Sequence, residues 1–183
     1  MRAICIKIFC YSVLCAILMC AMSCRQKATG VVNVQNSQNG KEEKLDPYIV
    51  GNQKILSLEQ EEIELVIKRH HWDMQKTGTG LYYEVLEPGS GPRFVEGDSV
   101  SMSYSISLLS GQQIYNSEND GVKTFKVNKS EEIPALHEIA LLASPGTEAR
   151  MVVPSHLAYG AGGDGQQIKG REALIMKVKF LNQ

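Results

Sequence analysis

Between residues 100 and 108 hydrophobic and polar positions alternate without a break. Val100, Met102, Tyr104, Ile106 and Leu108 fall on one set, and Ser101, Ser103, Ser105 and Ser107 on the other. Successive side chains of a strand point to opposite faces, so this stretch predicts a strand with one buried face that includes Tyr104. A second alternating run sets Ala149, Met151 and Val153 against Glu148, Arg150 and Val152, and Pro154, which has no N–H for a ladder, ends it. A third, over 173–181, puts Leu174, Met176, Val178 and Phe180 on an inner face. Shorter strands are expected over 81–86, at Ile114-Tyr115 and over 122–127, separated by turn signals such as Glu87-Pro-Gly-Ser-Gly-Pro92, Ser110-Gly111 and Asp120-Gly121.

Two stretches change the period to that of a helix. Pro134 suits the first helical position, and Leu136, Ile139, Ala140 and Leu142 follow at helical spacing until Pro145-Gly146. Earlier, Ser57 with Gln60 forms a capping-box start, and Ile63, Val66, Ile67 and His70 mark one face of a helix from about Leu58 to Trp72. Trp72, the one tryptophan, is expected to anchor this helix to the main domain. The class implied is α+β: an antiparallel sheet with one short helix packed on it, preceded by an N-terminal helix.

Composition divides the rest of the chain. Residues 25–46 are rich in Gln, Asn, Lys, Glu, Ser and Gly and nearly lack the large apolar side chains that would offset ordering entropy, so a tether is expected. All five cysteines, Cys5, Cys10, Cys15, Cys20 and Cys24, lie ahead of it. Arg2 and Lys7 precede an apolar run from Ile8 to Met22. That run is shorter than the ~20 residues of a spanning helix and reads as a cleaved signal. Its end, Ala21-Met22-Ser23-Cys24, resembles a bacterial lipobox, which makes Cys24 the expected site of lipidation and a membrane partner through the lipid anchor. A plain secretory signal and a retained anchor helix are the alternatives. The resulting organisation is 1–23 signal peptide, 24–46 tether, 47–76 helical segment and 80–183 main domain, placed in the bacterial cell envelope. With a net charge of −1, the chain carries no basic footprint for nucleic acid.

Candidate chemistry is sparse. After Pro154, the segment Leu157-Ala158-Tyr159 is too apolar for a solvated loop. Tyr159 is therefore expected to turn its ring into a pocket and to offer its hydroxyl to a carbonyl. Gly160-Ala-Gly-Gly-Asp-Gly165 fits the G-x-G-x-x-G pattern, but a polar loop and a strand follow instead of a helix. A dinucleotide site is thereby excluded, and a flexible glycine loop is expected. A single copy likewise cannot build the stacked repeats of a calcium-binding roll. Adjacent His70 and His71 point about 100° apart on a helix and cannot easily share a metal; a helix-end pair favoured by the dipole is expected. His137 and His156 are expected on the surface. No Ser-His-Asp or Cys-His constellation is visible.

Three segments carry a resemblance: Val153-Pro-Ser-His-Leu-Ala-Tyr-Gly160, Phe125-Lys-Val127, and Ile133-Pro-Ala-Leu136. Together with Gly89-Ser-Gly91 and the final strand, they make residues 80–183 similar to the FK506-binding-protein family of peptidyl-prolyl cis-trans isomerases, particularly its exported bacterial members. The resemblance implies a sheet half-wrapped around a short helix, with an apolar pocket for a prolyl ring between them. It implies catalytic roles for Tyr104, Ile133 and Tyr159, where the Tyr159 hydroxyl and the Ile133 N–H hold substrate carbonyls. Ile114, Tyr115, Phe125, Leu136, Ile168 and Met176 would contact substrate. It further implies that proline-containing segments of exported proteins are the partners and that no cofactor is needed.

Three positions depart from the family pattern. Its Phe-Asp pair is Ile114-Tyr115, its pocket-floor tryptophan is Leu136, and its late-strand phenylalanine is Met176. The lost carboxylate suggests reduced turnover, and an aspartate at position 115 is expected to restore it. A folding helper with isomerase activity, a non-catalytic proline-binding module or chaperone, and a structural lipoprotein are the readings left open.

Overall fold

The computed structural model describes residues 47–182. Its first element, helix α1, runs Pro47–His70, starting well before the expected Leu58. Ser57 sits inside it and donates its hydroxyl back to the Lys54 carbonyl at 2.8 Å, so it is not a cap. The missed turns had no legible periodicity because Ile49, Val50, Ile55 and Leu56 are exposed. The C-terminus closes by a Schellman motif: His71 adopts φ 54° and donates to the Lys68 carbonyl, while the Trp72 N–H reaches the Ile67 carbonyl. Trp72 and Ile67 pack in one cluster, as that motif favours, and Lys68, Arg69 and His70 oppose the helix dipole in the last turn. The His70 ring stacks on Trp72 at 4.6 Å, and the Arg150 guanidinium lies 4.6 Å from the Trp72 ring.

Seven strands follow: β1 Gln75–Lys76, β2 Tyr82–Glu87, β3 Ser99–Leu108, β4 Gln113–Asn116, β5 Lys123–Lys126, β6 Glu148–Val153 and β7 Leu174–Phe180. All pair antiparallel in the order β1-β2-β6-β7-β3-β4, with β5 also on β3. The ten-residue β3 is long enough for β5 to pair along 99–102 and β4 along 105–107, while β7 pairs along 102–108. A four-residue turn, α2 Ser117–Asp120, joins β4 to β5, and helix α3, Pro134–Leu142, lies between β5 and β6.

The main core lies between α3 and one face of the sheet. Ala135, Leu136, Ile139 and Ala140 pack with Val100, Met102, Ile106, Met151, Val153, Leu174, Met176, Val178 and Phe180. The opposite face is covered too. Val152, on the face that alternation assigned to polar residues, is fully buried because α1 crosses there, and it clusters with Ile63, Tyr82 and Ala173. Glu84 and Arg150, which pair at 3.1 Å, keep polar character on that same side of the sheet. The described residues thus form one unit in which α1 and the sheet share a core. Among the described residues no helix is long and apolar enough to cross a membrane, and the signal, Cys24 and tether lie outside them.

Candidate functional site

Three tyrosines reach one cleft from three elements. Tyr104 comes from the middle of β3, where it is paired with Val178. Tyr115 comes from β4, where Ile106 pairs with Tyr115 but Ser107 with Gln113, so Ile114 is the extra residue of a β-bulge. A regular strand would send Ile114 and Tyr115 to opposite faces; the bulge lets both pack against the same core. Tyr159 comes from the loop after β6. There Pro154 (φ −60°) starts a 3₁₀ turn over Ser155–Leu157, and the Ser155 carbonyl accepts from the Ala158 N–H at 3.1 Å and the Gly160 N–H at 2.8 Å. Those two bonds bracket Tyr159 and hold its backbone.

The cleft measures about 340 Å³ and is lined by Tyr104, Ile106, Tyr115, Asp120, Lys123, Tyr159, Asp164 and Gln166. Phe125, Ile133, Leu136, Ile168 and Met176 are buried in the core cluster beneath, against which Tyr104, Ile114, Tyr115 and Tyr159 pack. None of these five lines the cleft itself, where Ile106 is the one aliphatic residue and the phenols, charged groups and Gln166 supply the rest of the surface. Ile133 is the N-cap of α3, and its N–H has no acceptor among the described residues, which leaves a backbone donor at a helix start.

The glycine loop is ordered, contrary to the flexible loop expected. Asp164 is its hub: Oδ1 accepts from the N–H groups of Gln166 (2.8 Å) and Ile168 (2.9 Å), and the Asp164 N–H donates to the Ile168 carbonyl. The loop folds back so closely that a Cβ on Gly163, itself at φ 71°, would lie 2.3 Å from the Ile168 carbonyl oxygen. Glycine is therefore required for backbone approach and not for mobility. Oδ2 of Asp164 accepts from the Tyr115 hydroxyl at 2.5 Å. Two carboxylates do stand at this cleft, Asp164 from the loop and Asp120 from the end of α2, and neither comes from β4. Sequence reasoning missed Asp164; the one signal available was a lone acid inside a glycine run.

Electrostatics follow from this arrangement. Burial opposes the charge on Asp164, but the bonds from Tyr115, Gln166 and Ile168 outweigh it and hold the carboxyl below its ordinary range. The bond to Asp164, and then burial, push the Tyr115 phenol up. Burial raises Tyr104, aided by Asp120 and Glu132. Tyr159 is pushed up to about 12, chiefly by burial and secondarily by Asp164 and Glu132. All three phenols thus stay protonated at neutral pH, and the Tyr159 hydroxyl has no partner among the described residues. Lys123 is neutralised by Glu132 at 3.0 Å. His137 and His156 are bound to backbone outside the cleft: His137 to Asn128 and Ser130, His156 to Thr79. The described residues hold no cluster of three or more His, Cys, Asp or Glu that could bind a metal ion.

A larger cleft of about 500 Å³ lies elsewhere, between α1 and the 76–80 turn, and includes Glu59, Pro154 and His156. It contains none of the three site tyrosines.

An antiparallel sheet packed on a short helix, with three phenols gathered at one cleft, defines an α+β domain. Residues 91–181 match the family model of the FKBP-type peptidyl-prolyl cis-trans isomerases. This part of the chain belongs to that family, and the fold is FKBP-like. The chain is 32% identical over 109 residues to a probable FKBP-type peptidyl-prolyl cis-trans isomerase FkpA of Neisseria meningitidis, covering 59% of this chain and 39% of that one. It is 31% identical over 105 residues to the outer membrane protein MIP of Legionella longbeachae, covering 57% and 44%. The crystal structure of FkpA from Escherichia coli superposes with a TM-score of 0.61 at 26% identity, over 74% of this chain and 63% of that one. The chain spans less than half the length of the two sequence relatives, 39% and 44%.

Proposed function

We propose that this protein is a peptidyl-prolyl cis-trans isomerase of the bacterial cell envelope, acting on proline-containing segments of exported polypeptides. The observation that carries the reading is the convergence of Tyr104, Tyr115 and Tyr159 on one cleft beside the apolar core of an FKBP-type domain. Rotation about an X–Pro amide crosses a barrier of about 18–20 kcal/mol, yet no covalent bond is made or broken and no group need titrate. The amide is stiff because nitrogen shares charge with the carbonyl. A prolyl ring seated on Phe125, Leu136, Ile168 and Met176, with Ile114 and Tyr115 at its side, takes that carbonyl out of water and weakens the charge-separated form. Donors at Tyr159 Oη and Ile133 N–H, beside the Tyr104 ring, then hold substrate carbonyls in the twisted geometry more tightly than in either planar one. About 1.4 kcal/mol of such preference gives tenfold in rate, and the chemistry requires no cofactor.

A second reading, a proline-segment binding module or chaperone without turnover, is favoured by one feature. The Tyr115 hydroxyl is committed to Asp164 and is not free for substrate. Line-shape or exchange NMR of a proline tetrapeptide separates the two without a coupling protease. Accelerated exchange at catalytic protein concentration supports the isomerase, and saturable binding with unaltered exchange establishes the module. Envelope placement is supported by the names of the bacterial relatives and by the lipobox-like Ala21-Met-Ser-Cys24. Cys24 would carry the lipid that ties the protein to a membrane.

A further inference from the structure

Helix α1 lies outside the residues matched by the family model, yet its polar face is bonded to the loop that carries Tyr159. Between residues 51 and 60 only Asn52 and Glu59 are not fully exposed. They are seven residues apart, two turns along one face, and that face continues through Ile63, Val66 and Ile67 onto the sheet. Glu59 Oε1 accepts from the Ser155 N–H at 2.5 Å and Oε2 from the Ser155 hydroxyl at 3.0 Å, at a residue that is itself buried. Asn52 Oδ1 meets Arg171 Nη2 at 3.5 Å, and the Arg171 N–H donates to the Gly160 carbonyl at 2.7 Å.

Ser155 opens the 3₁₀ turn, and the residue before it, Pro154, has no side chain able to accept from the turn's first N–H. The cap that neighbours cannot provide comes from α1 instead. Because the Ser155 carbonyl accepts from the N–H groups of Ala158 and Gly160, fixing Ser155 fixes the backbone of the residues on either side of Tyr159. We infer that α1 is a positioning element of the isomerase site, with Glu59 setting the Tyr159 loop through Ser155. This rests on the isomerase reading above. A hydroxyl that must meet a carbonyl gains from such a brace, since a displacement of about 1 Å in a positioned group can lower turnover on the order of a hundredfold.

The test uses the full chain and three substitutions of one residue. Glu59→Ala is expected to lower kcat/KM on a proline tetrapeptide on the order of tenfold and to speed amide exchange at Ala158 and Gly160. Glu59→Gln, whose carbonyl can still accept from the Ser155 N–H, is expected to recover most of both. Glu59→Asp keeps the charge and shortens the reach by one methylene; it is expected to fall between them, and it carries the test if alanine impairs folding. Tyr82→Phe removes a different bond between helix and sheet, from Tyr82 Oη to Glu64 at 2.9 Å, and is expected to leave kcat/KM unchanged. Parental kcat/KM and parental exchange in Glu59→Ala overturn the inference, as does an equal loss in Tyr82→Phe, which would make the effect a general loosening of the helix. If the parent itself does not isomerise, the functional reading fails. Amide exchange then still decides whether Glu59 holds the loop.

Discussion

Replacing Tyr159 by phenylalanine removes one oxygen from the cleft while keeping the ring that packs on the core. Because the hydroxyl bonds to no described residue, the folded protein gives up no internal hydrogen bond, and the melting temperature at neutral pH is expected to stay within the scatter of a neutral surface change. A substrate carbonyl does lose its donor. One such bond is worth about 0.5–1.5 kcal/mol, so the Kd of a proline tetrapeptide is expected to rise about two- to tenfold. The loss in kcat/KM is expected to be at least as large if the bond tightens in the twisted amide. A pH arm checks the environment of the same atom. The folded phenol is pushed up to about 12 from its ordinary value of 10.0, so its contribution to stability is complete below pH 10 and is lost as pH rises from 10 toward 12. Two units correspond to at most about 2.7 kcal/mol, and solvent access to the half-buried ring reduces this to about 1 kcal/mol. The parent is therefore expected to lose stability faster than Tyr159→Phe across that window in denaturant titrations. Calorimetry or fluorescence gives the affinity, and exchange NMR gives the rate. Unchanged affinity and unchanged kcat/KM would show that the hydroxyl does not meet substrate.

Tyr115→Asp was expected, from sequence alone, to raise turnover. With Asp164 bonded to the Tyr115 hydroxyl, the substitution instead removes that donor, adds a second negative charge nearby and frees the loop, so a lower melting temperature without faster exchange is expected, and Asp164→Asn added to it should recover part of the stability. A gain in kcat/KM from Tyr115→Asp alone would contradict this. Gly163→Ala forces a methyl against the Ile168 carbonyl at positive φ and is expected to destabilise the domain by about 1–3 kcal/mol in urea titration; an unchanged midpoint would mean that the loop opens freely. Cys24→Ser is expected to move the protein out of the detergent phase on fractionation, and unaltered partitioning would exclude lipidation at that residue.

The strands other than the two-residue β1 were legible because their chemistry is local. Residues 100–108 alternate strictly, Pro154 stops β6, and Pro134 starts α3, so each element could be placed from neighbours a few residues away. The inward direction of Tyr104 and Tyr159 was legible for the same reason: each is an aromatic at a position whose local pattern turns it toward the core. What sequence could not determine was decided by groups far apart in the chain. Val152 breaks its strand's alternation because α1, nearly a hundred residues earlier, covers the second face. The first turns of α1 were missed because their apolar residues are exposed and show no burial period. The bulge at Ile114 turns two adjacent side chains to one core, contrary to the period of two that a strand imposes. The carboxylate bonded to Tyr115 comes from Asp164, 49 positions away, and Ser155 is held by Glu59 across 96. Hydrogen bonds between such distant residues leave no periodic trace in sequence, since they depend only on where the folded backbone brings the two groups.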